Sequence, residues 1–177
     1  FPEGEIVLRQ QANYPWDGNV KLKIDKGSKV HGTIEIRIPG WAENTSLKVN
    51  GKKIPAVKAG TFESITREWS EGDVIELKLP LQSRIVDPNP KVKSQRGKFA
   101  LMRGPLVYCV EQAGMNEELD ITNITYNKKH TKITSQHNPD LLGGITTLNV
   151  SGNVNSKSVE IQAIPYYSWA RFVKYGV

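Results

Sequence analysis

The chain has 177 residues, 38% of them apolar and 24% charged, a balance that excludes a disordered segment and suits one domain with a real core, or two small ones. The net charge of +6 is spread: Lys21, Lys23, Lys48, Lys78 and Lys98 alternate with apolar residues, which marks the solvent face of strands and excludes a stripe that tracks phosphates. Nucleic acid is therefore not an expected partner, nor is a membrane, since no apolar run approaches the roughly 20 residues a spanning helix needs. One cysteine, Cys109, excludes an internal disulfide and a cysteine-built zinc cage within the chain. The opening Phe1-Pro-Glu-Gly4 has neither an initiator Met nor a charged-then-apolar leader, so a cut piece of a longer polypeptide is expected.

In chain order, residues 6–10 form a candidate first strand. Tyr14-Pro-Trp-Asp-Gly18 reads as a turn, because proline holds φ and Asp-Gly supplies positive φ. Val20, Leu22 and Ile24 alternate with Lys21, Lys23 and Asp25, the period of two of a half-buried strand; Ile34, Ile36 and Ile38 repeat it. Leu47-Lys-Val-Asn-Gly-Lys-Lys-Ile54 is the clearest hairpin, since Asn50-Gly51 suits a type I′ turn. Residues 62–69 make another strand whose alternation slips near Ile65, which predicts a bulge. Ile75, Leu77 and Leu79 alternate with Glu76 and Lys78, and 84–86 is a short strand followed by loop at 87–90.

The longest near-continuous apolar run covers 98–111 and is broken by Arg103-Gly-Pro105. Proline forbids one helix through it, which leaves two short strands joined by a kink. The second, 106–110, is apolar on both sides and is expected to be buried on both. Beyond Gln112 the texture turns polar: one helical turn at 116–119, weak alternation over 121–133, and loops at 135–140, 143–144 and 151–158. Val159, Ile161 and Ala163 then alternate with Glu160 and Gln162 ahead of Pro165-Tyr-Tyr-Ser-Trp-Ala170. No helix of ten residues is convincing. Many short strands with regular turns specify an all-β fold, an antiparallel β-sandwich of jelly-roll type.

Chemistry is harder to place. Acid–base hydrolysis of a glycoside needs two carboxyl groups flanking the bond. Here Glu35, Glu76 and Glu160 fall on polar strand faces and Asp17, Glu71, Asp73 and Asp140 in turns, so no pair emerges. Cys109 lies between Tyr108 and Val110 in an apolar strand, where cysteine acts as a small hydrophobe. His31, His130 and His137 share no metal-ligand spacing. The functional candidates are aromatic: Tyr14, Trp16, Trp41, Tyr166, Tyr167 and Trp169 all sit at strand ends beside proline or glycine. Exposed, they would stack on sugar rings; buried, they would plug the sandwich or pack on a neighbouring domain.

Seven motifs occur in one order: Tyr14-Pro-Trp-Asp-Gly18, Arg37-Ile-Pro-Gly-Trp-Ala42, Val49-Asn-Gly51, Arg67-Glu-Trp-Ser-Glu-Gly-Asp73, Leu79-Pro-Leu81, Arg103-Gly-Pro-Leu-Val-Tyr-Cys109 and Ile164-Pro-Tyr-Tyr-Ser-Trp-Ala170. The set resembles the C-terminal β-sandwich region of the β-L-arabinofuranosidase family, glycoside hydrolase family 127, over 6–112 and 159–170. The resemblance implies a main sandwich of 1–112 plus 159–177, with 113–158 as a smaller inserted β module. It also removes catalysis from this chain. Family enzymes carry a cysteine nucleophile, a glutamate acid/base and a zinc ion held by cysteines and a glutamate in an upstream (α/α) barrel. None of those motifs is present, so no catalytic, zinc or other cofactor residue carries over, Cys109 included. The family pattern Trp-Ala-Asn-Arg is replaced by Trp169-Ala-Arg-Phe172.

The implied partner is the barrel of the same polypeptide. A plant polysaccharide and a second copy in a homodimer are the further partners considered, in a periplasmic or extracellular bacterial parent. The leading expectation is a non-catalytic accessory domain. The alternative is a carbohydrate-binding module gripping glycan with the strand-end aromatics. A complete hydrolase is disfavoured because no carboxylate pair is evident.

Overall fold

The computed structural model describes residues 1, 4–112, 120–127, 130–155 and 157–170; the turn expected at 116–119 and the chain beyond Ala170 lie outside them. Every strand pairing described is antiparallel, as expected for an all-β fold. The chain divides into two compact units, Phe1–Gln82 and Ser83–Val177. This differs from the expected main sandwich of 1–112 plus 159–177 with a module at 113–158. The reason is hydrogen bonding: the last strand pairs with strands on both sides of that boundary and draws the whole C-terminal half into one sheet.

The first unit holds β1 (Val7–Ala12), β2 (Asn19–Lys26), β3 (Val30–Arg37), β4 (Ser46–Val49), β5 (Lys52–Lys53), β6 (Phe62–Trp69) and β7 (Val74–Lys78). One sheet runs β1-β2-β7-β4-β5 and the other is the pair β3-β6. Period-two alternation turns Leu22, Ile24, Leu47, Ile75 and Leu77 of the first sheet toward Ile36, Ile65 and Trp69 of the second, and together they form the core. Asn50 and Gly51 both have positive φ, 50° and 75°, as a type I′ turn requires.

The bulge expected near Ile65 is absent. Register is unbroken from Val30 opposite Trp69 to Arg37 opposite Phe62. The alternation slips in the sequence because an apolar residue, Phe62, takes a solvent-facing position and is 61% exposed. The irregularity lies in β1 instead, between Val7 and Leu8.

The β4–β5 turn is tied to the start of β7. Asn50 Nδ2 donates to Asp73 (2.6 Å), the Asn50 side-chain oxygen accepts from Val74 N–H (2.8 Å), and Asp73 also accepts from Ser70 N–H (2.9 Å). Burial pushes the Asp73 carboxyl up, but these hydrogen bonds and the Arg67 charge outweigh it and hold the pKa below its ordinary 3.8. A depressed folded-state pKa contributes stability above the unfolded value that is lost as pH falls through the folded one. Acid unfolding of this unit should therefore steepen below about pH 4, and Asp73→Asn should flatten that limb in a pH series of denaturation midpoints. An unchanged slope in the variant would remove Asp73 from the acid response.

The second unit holds β8 (Ser83–Val86), β9 (Ala100–Arg103), β10 (Leu106–Cys109), β11 (Ile124–Thr125), β12 (Ile133–Asn138), β13 (Ile145–Val154) and β14 (Lys157–Pro165). The sheet runs β11-β13-β14-β10-β9-β8, with β12 also on β13, and it curls until β12 approaches β8. The core lies on one face: Leu101, Tyr108, Leu148, Val150, Ile161 and Ala163. The expected kink is a tight hairpin in which Leu106 pairs with Arg103 and Gly104 adopts φ 53°, the first central position of a type II′ turn.

Three expectations are corrected here. β10 is buried on one side only, because Val107 on its other face is 44% exposed. Residues 135–138 are strand, not loop, and most of 151–158 belongs to the β13–β14 hairpin. Polar side chains hid both. Thr147 is fully buried and accepts from Asn138 Nδ2 (3.1 Å), and Gly152 makes room for Ile161, whose Cδ1 would lie 2.6 Å from an added Cβ.

Candidate functional site

The candidate aromatics separate by unit and by exposure. In the first unit Trp41 is half-buried and packs against the core, held between the end of β3 and β4. Tyr14 and Trp16 are exposed on the β1–β2 loop, where Trp16 N–H and Asp17 N–H both donate to Asn13 carbonyl (2.9 and 3.0 Å). Burial raises the Tyr14 phenol above its ordinary value, while the Arg37 charge beside it pulls the other way. Arg37 is the register partner of Phe62, an exposed aromatic that sequence reasoning missed. The signal was available: Phe62 is an odd number of positions from Ile65 and Trp69 and so faces away from them.

In the second unit Tyr166, Tyr167 and Trp169 are all exposed, on and just after a 3-10 turn, Tyr166–Ser168, that leaves the end of β14. Residues three apart in such a turn eclipse. Tyr166 and Trp169 accordingly lie with ring centroids 6.0 Å apart and planes within 7°. Trp169 N–H donates to Tyr166 carbonyl (3.0 Å), and Ala170 N–H donates to the Glu111 carboxylate (2.5 Å). Beneath them Ser168 and Pro165 are fully buried. Tyr108, the register partner of Pro165, has its phenol pushed up to about 12 by burial, with Arg103 pulling it down and Tyr167 adding to the rise.

A shallow depression of about 390 Å³ on the outer face of the five-stranded sheet carries one carboxylate, Glu76, among Lys21, Lys48 and Lys78. A second, of about 180 Å³ beside Phe99, carries Asp87, whose carboxylate accepts from the Tyr126 hydroxyl. Neither brings two carboxylates face to face. Asp73 and Asp120 are both shifted down, Asp120 by its hydrogen bonds from Thr122, which is opposite to what a general acid needs. Burial raises the half-buried Cys109 thiol and Glu111 raises it further, so it lacks the lowered pKa of an activated nucleophile. Among the described residues no three His, Cys, Asp or Glu side chains gather as a metal site.

Comparison with known proteins places both units. Residues 1–81 match the model of the GH127 β-L-arabinofuranosidase middle domain, and 83–172 match the glycoside hydrolase family 127 C-terminal domain. The chain is 30% identical over 190 aligned positions to the non-reducing end β-L-arabinofuranosidase of Bifidobacterium longum, a match that covers 93% of this chain and 28% of that protein. Among solved structures it is similar to a GH127 β-arabinofuranosidase (32% identity, TM-score 0.82, 93% of this chain and 30% of that one). It is also similar to a GH127 β-L-arabinofuranosidase of Geobacillus stearothermophilus T6 (31% identity, TM-score 0.82, 93% and 28%). The chain thus spans under a third of the length of these relatives. The boundary between the two family models falls where the fold itself divides, at Gln82 and Ser83. Matched along nearly all of its length by the middle and C-terminal models, this chain belongs to glycoside hydrolase family 127.

Proposed function

We propose that this chain is the non-catalytic β-sandwich portion of a bacterial glycoside hydrolase acting on β-L-arabinofuranosides or related plant glycans, and that it buttresses an upstream (α/α) barrel where the bond is broken. The observation that carries the reading is coverage. The chain accounts for two named domains of the family and for only 28–30% of the relatives' length. The site geometry supports it: exposed aromatics sit on hydrogen-bonded turns, whereas the carboxylates are scattered over turns and solvent faces. The 177-residue chain should release no arabinose from a β-L-arabinofuranoside, while a polypeptide carrying it together with the upstream portion should. Turnover by the chain alone would refute the assignment.

A further inference from the structure

We infer that the turn Tyr166–Ser168 with Trp169 is a docking surface for the portion of polypeptide that precedes the middle domain in this family; the inference rests on the reading just proposed. Tyr166 and Trp169 are 57% and 59% exposed yet ordered as a parallel pair. Their order comes from below, through buried Pro165 and Ser168 and the bond from Ala170 N–H to Glu111. Large flat side chains preorganised this way but left in water resemble the anchors of a protein interface.

The polar groups at the same place point the same way. The Ser168 hydroxyl, in a residue 1% exposed, finds no hydrogen-bond partner among the described residues, and the buried Tyr108 phenol beside Pro165 interacts with Arg103. Buried hydroxyls are normally satisfied, so Ser168 calls for an acceptor from outside the described residues. An exposed aromatic pair over buried polar groups suits an extended protein surface better than a single sugar ring. The occupant follows from the family models: the units are a middle and a C-terminal domain, so in the family a further portion comes first, and it falls within the share of the relatives this chain does not span.

Hydroxyl-radical footprinting of the 177-residue chain and of a polypeptide that includes the upstream portion tests this. Oxidation of Trp169 and Tyr166 should fall several-fold in the longer protein. The double variant Tyr166→Ala/Trp169→Ala should leave the Tm of the 177-residue chain unchanged and lower that of the longer one. Equal reactivity of Trp169 in both proteins would overturn the inference while leaving the arabinose-release comparison intact. A Tm loss already present in the 177-residue chain would make the pair structural and overturn it. Protection of Trp169 in that chain by added arabinan would reassign the surface to glycan, and so overturn it too.

Discussion

Replacing Trp69 by alanine is expected to unfold the Phe1–Gln82 unit under conditions where the parent chain is stable. Trp69 closes β6 with none of its surface exposed, and it packs among Ile36, Ile65, Leu47 and Ile75 in the shared core of the two sheets. Its indole N–H donates to Gly32 carbonyl (3.1 Å), and the Arg67 guanidinium lies 5.2 Å above the ring. A buried Trp→Ala change costs about 3–5 kcal/mol through lost burial and the cavity left behind. Leaving the Gly32 carbonyl without its donor adds about 1 kcal/mol. Since a small domain has only about 5–15 kcal/mol to lose, most of the unit's stability should go. Hydrogen exchange on β3 and β6 reads this unit separately from the other. Protection there that matches the parent chain would mean the core does not depend on Trp69 as argued, and Trp69→Phe should retain more of it.

The second large effect is expected at Gly18, between the β1–β2 loop and β2. A Cβ built there falls 1.8 Å from the carbonyl oxygen and 2.8 Å from the carbonyl carbon of Leu79, and the obstacle is backbone. The two segments are also hydrogen-bonded, Leu79 N–H to Gly18 carbonyl at 2.8 Å. Gly18→Ala must therefore part them, break that bond and lift Leu79, which is buried, from the core. Overpacking of this kind costs about 3 kcal/mol. A urea midpoint indistinguishable from that of the parent chain would show that the Gly18–Leu79 approach is not required by the fold.

Half-buried strands were legible wherever one face is apolar and the other charged. Leu22 and Ile24 in β2, Ile34 and Ile36 in β3, and Ile75 and Leu77 in β7 all follow the period of two. Asn50-Gly51 announced its hairpin because few other pairs accept positive φ at both positions. Strands whose inward positions include Thr147 or Gly152 did not announce themselves, since hydrogen bonding and close approach replace apolar bulk there. The apolar run of β10 misled in the opposite sense, because hydrophobicity does not reveal that Val107 faces outward. For the candidate site, composition singled out the aromatics, but only the coordinates separate Trp41, which packs on the core, from the exposed Tyr166 and Trp169.

By itself the sequence determined the all-β class, the strands with two-sided contrast, and the family resemblance, since each rests on local spacing or on the order of short motifs. Tertiary structure alone decided that the chain parts at Gln82 and Ser83 and that Tyr166 and Trp169 stand parallel in solvent. The first depends on which distant strands hydrogen-bond to one another, the second on a 3-10 turn whose side chains are left in water. β14 joins β10 across more than fifty residues of sequence, through Tyr108 opposite Pro165, and no local periodicity encodes that choice of partner.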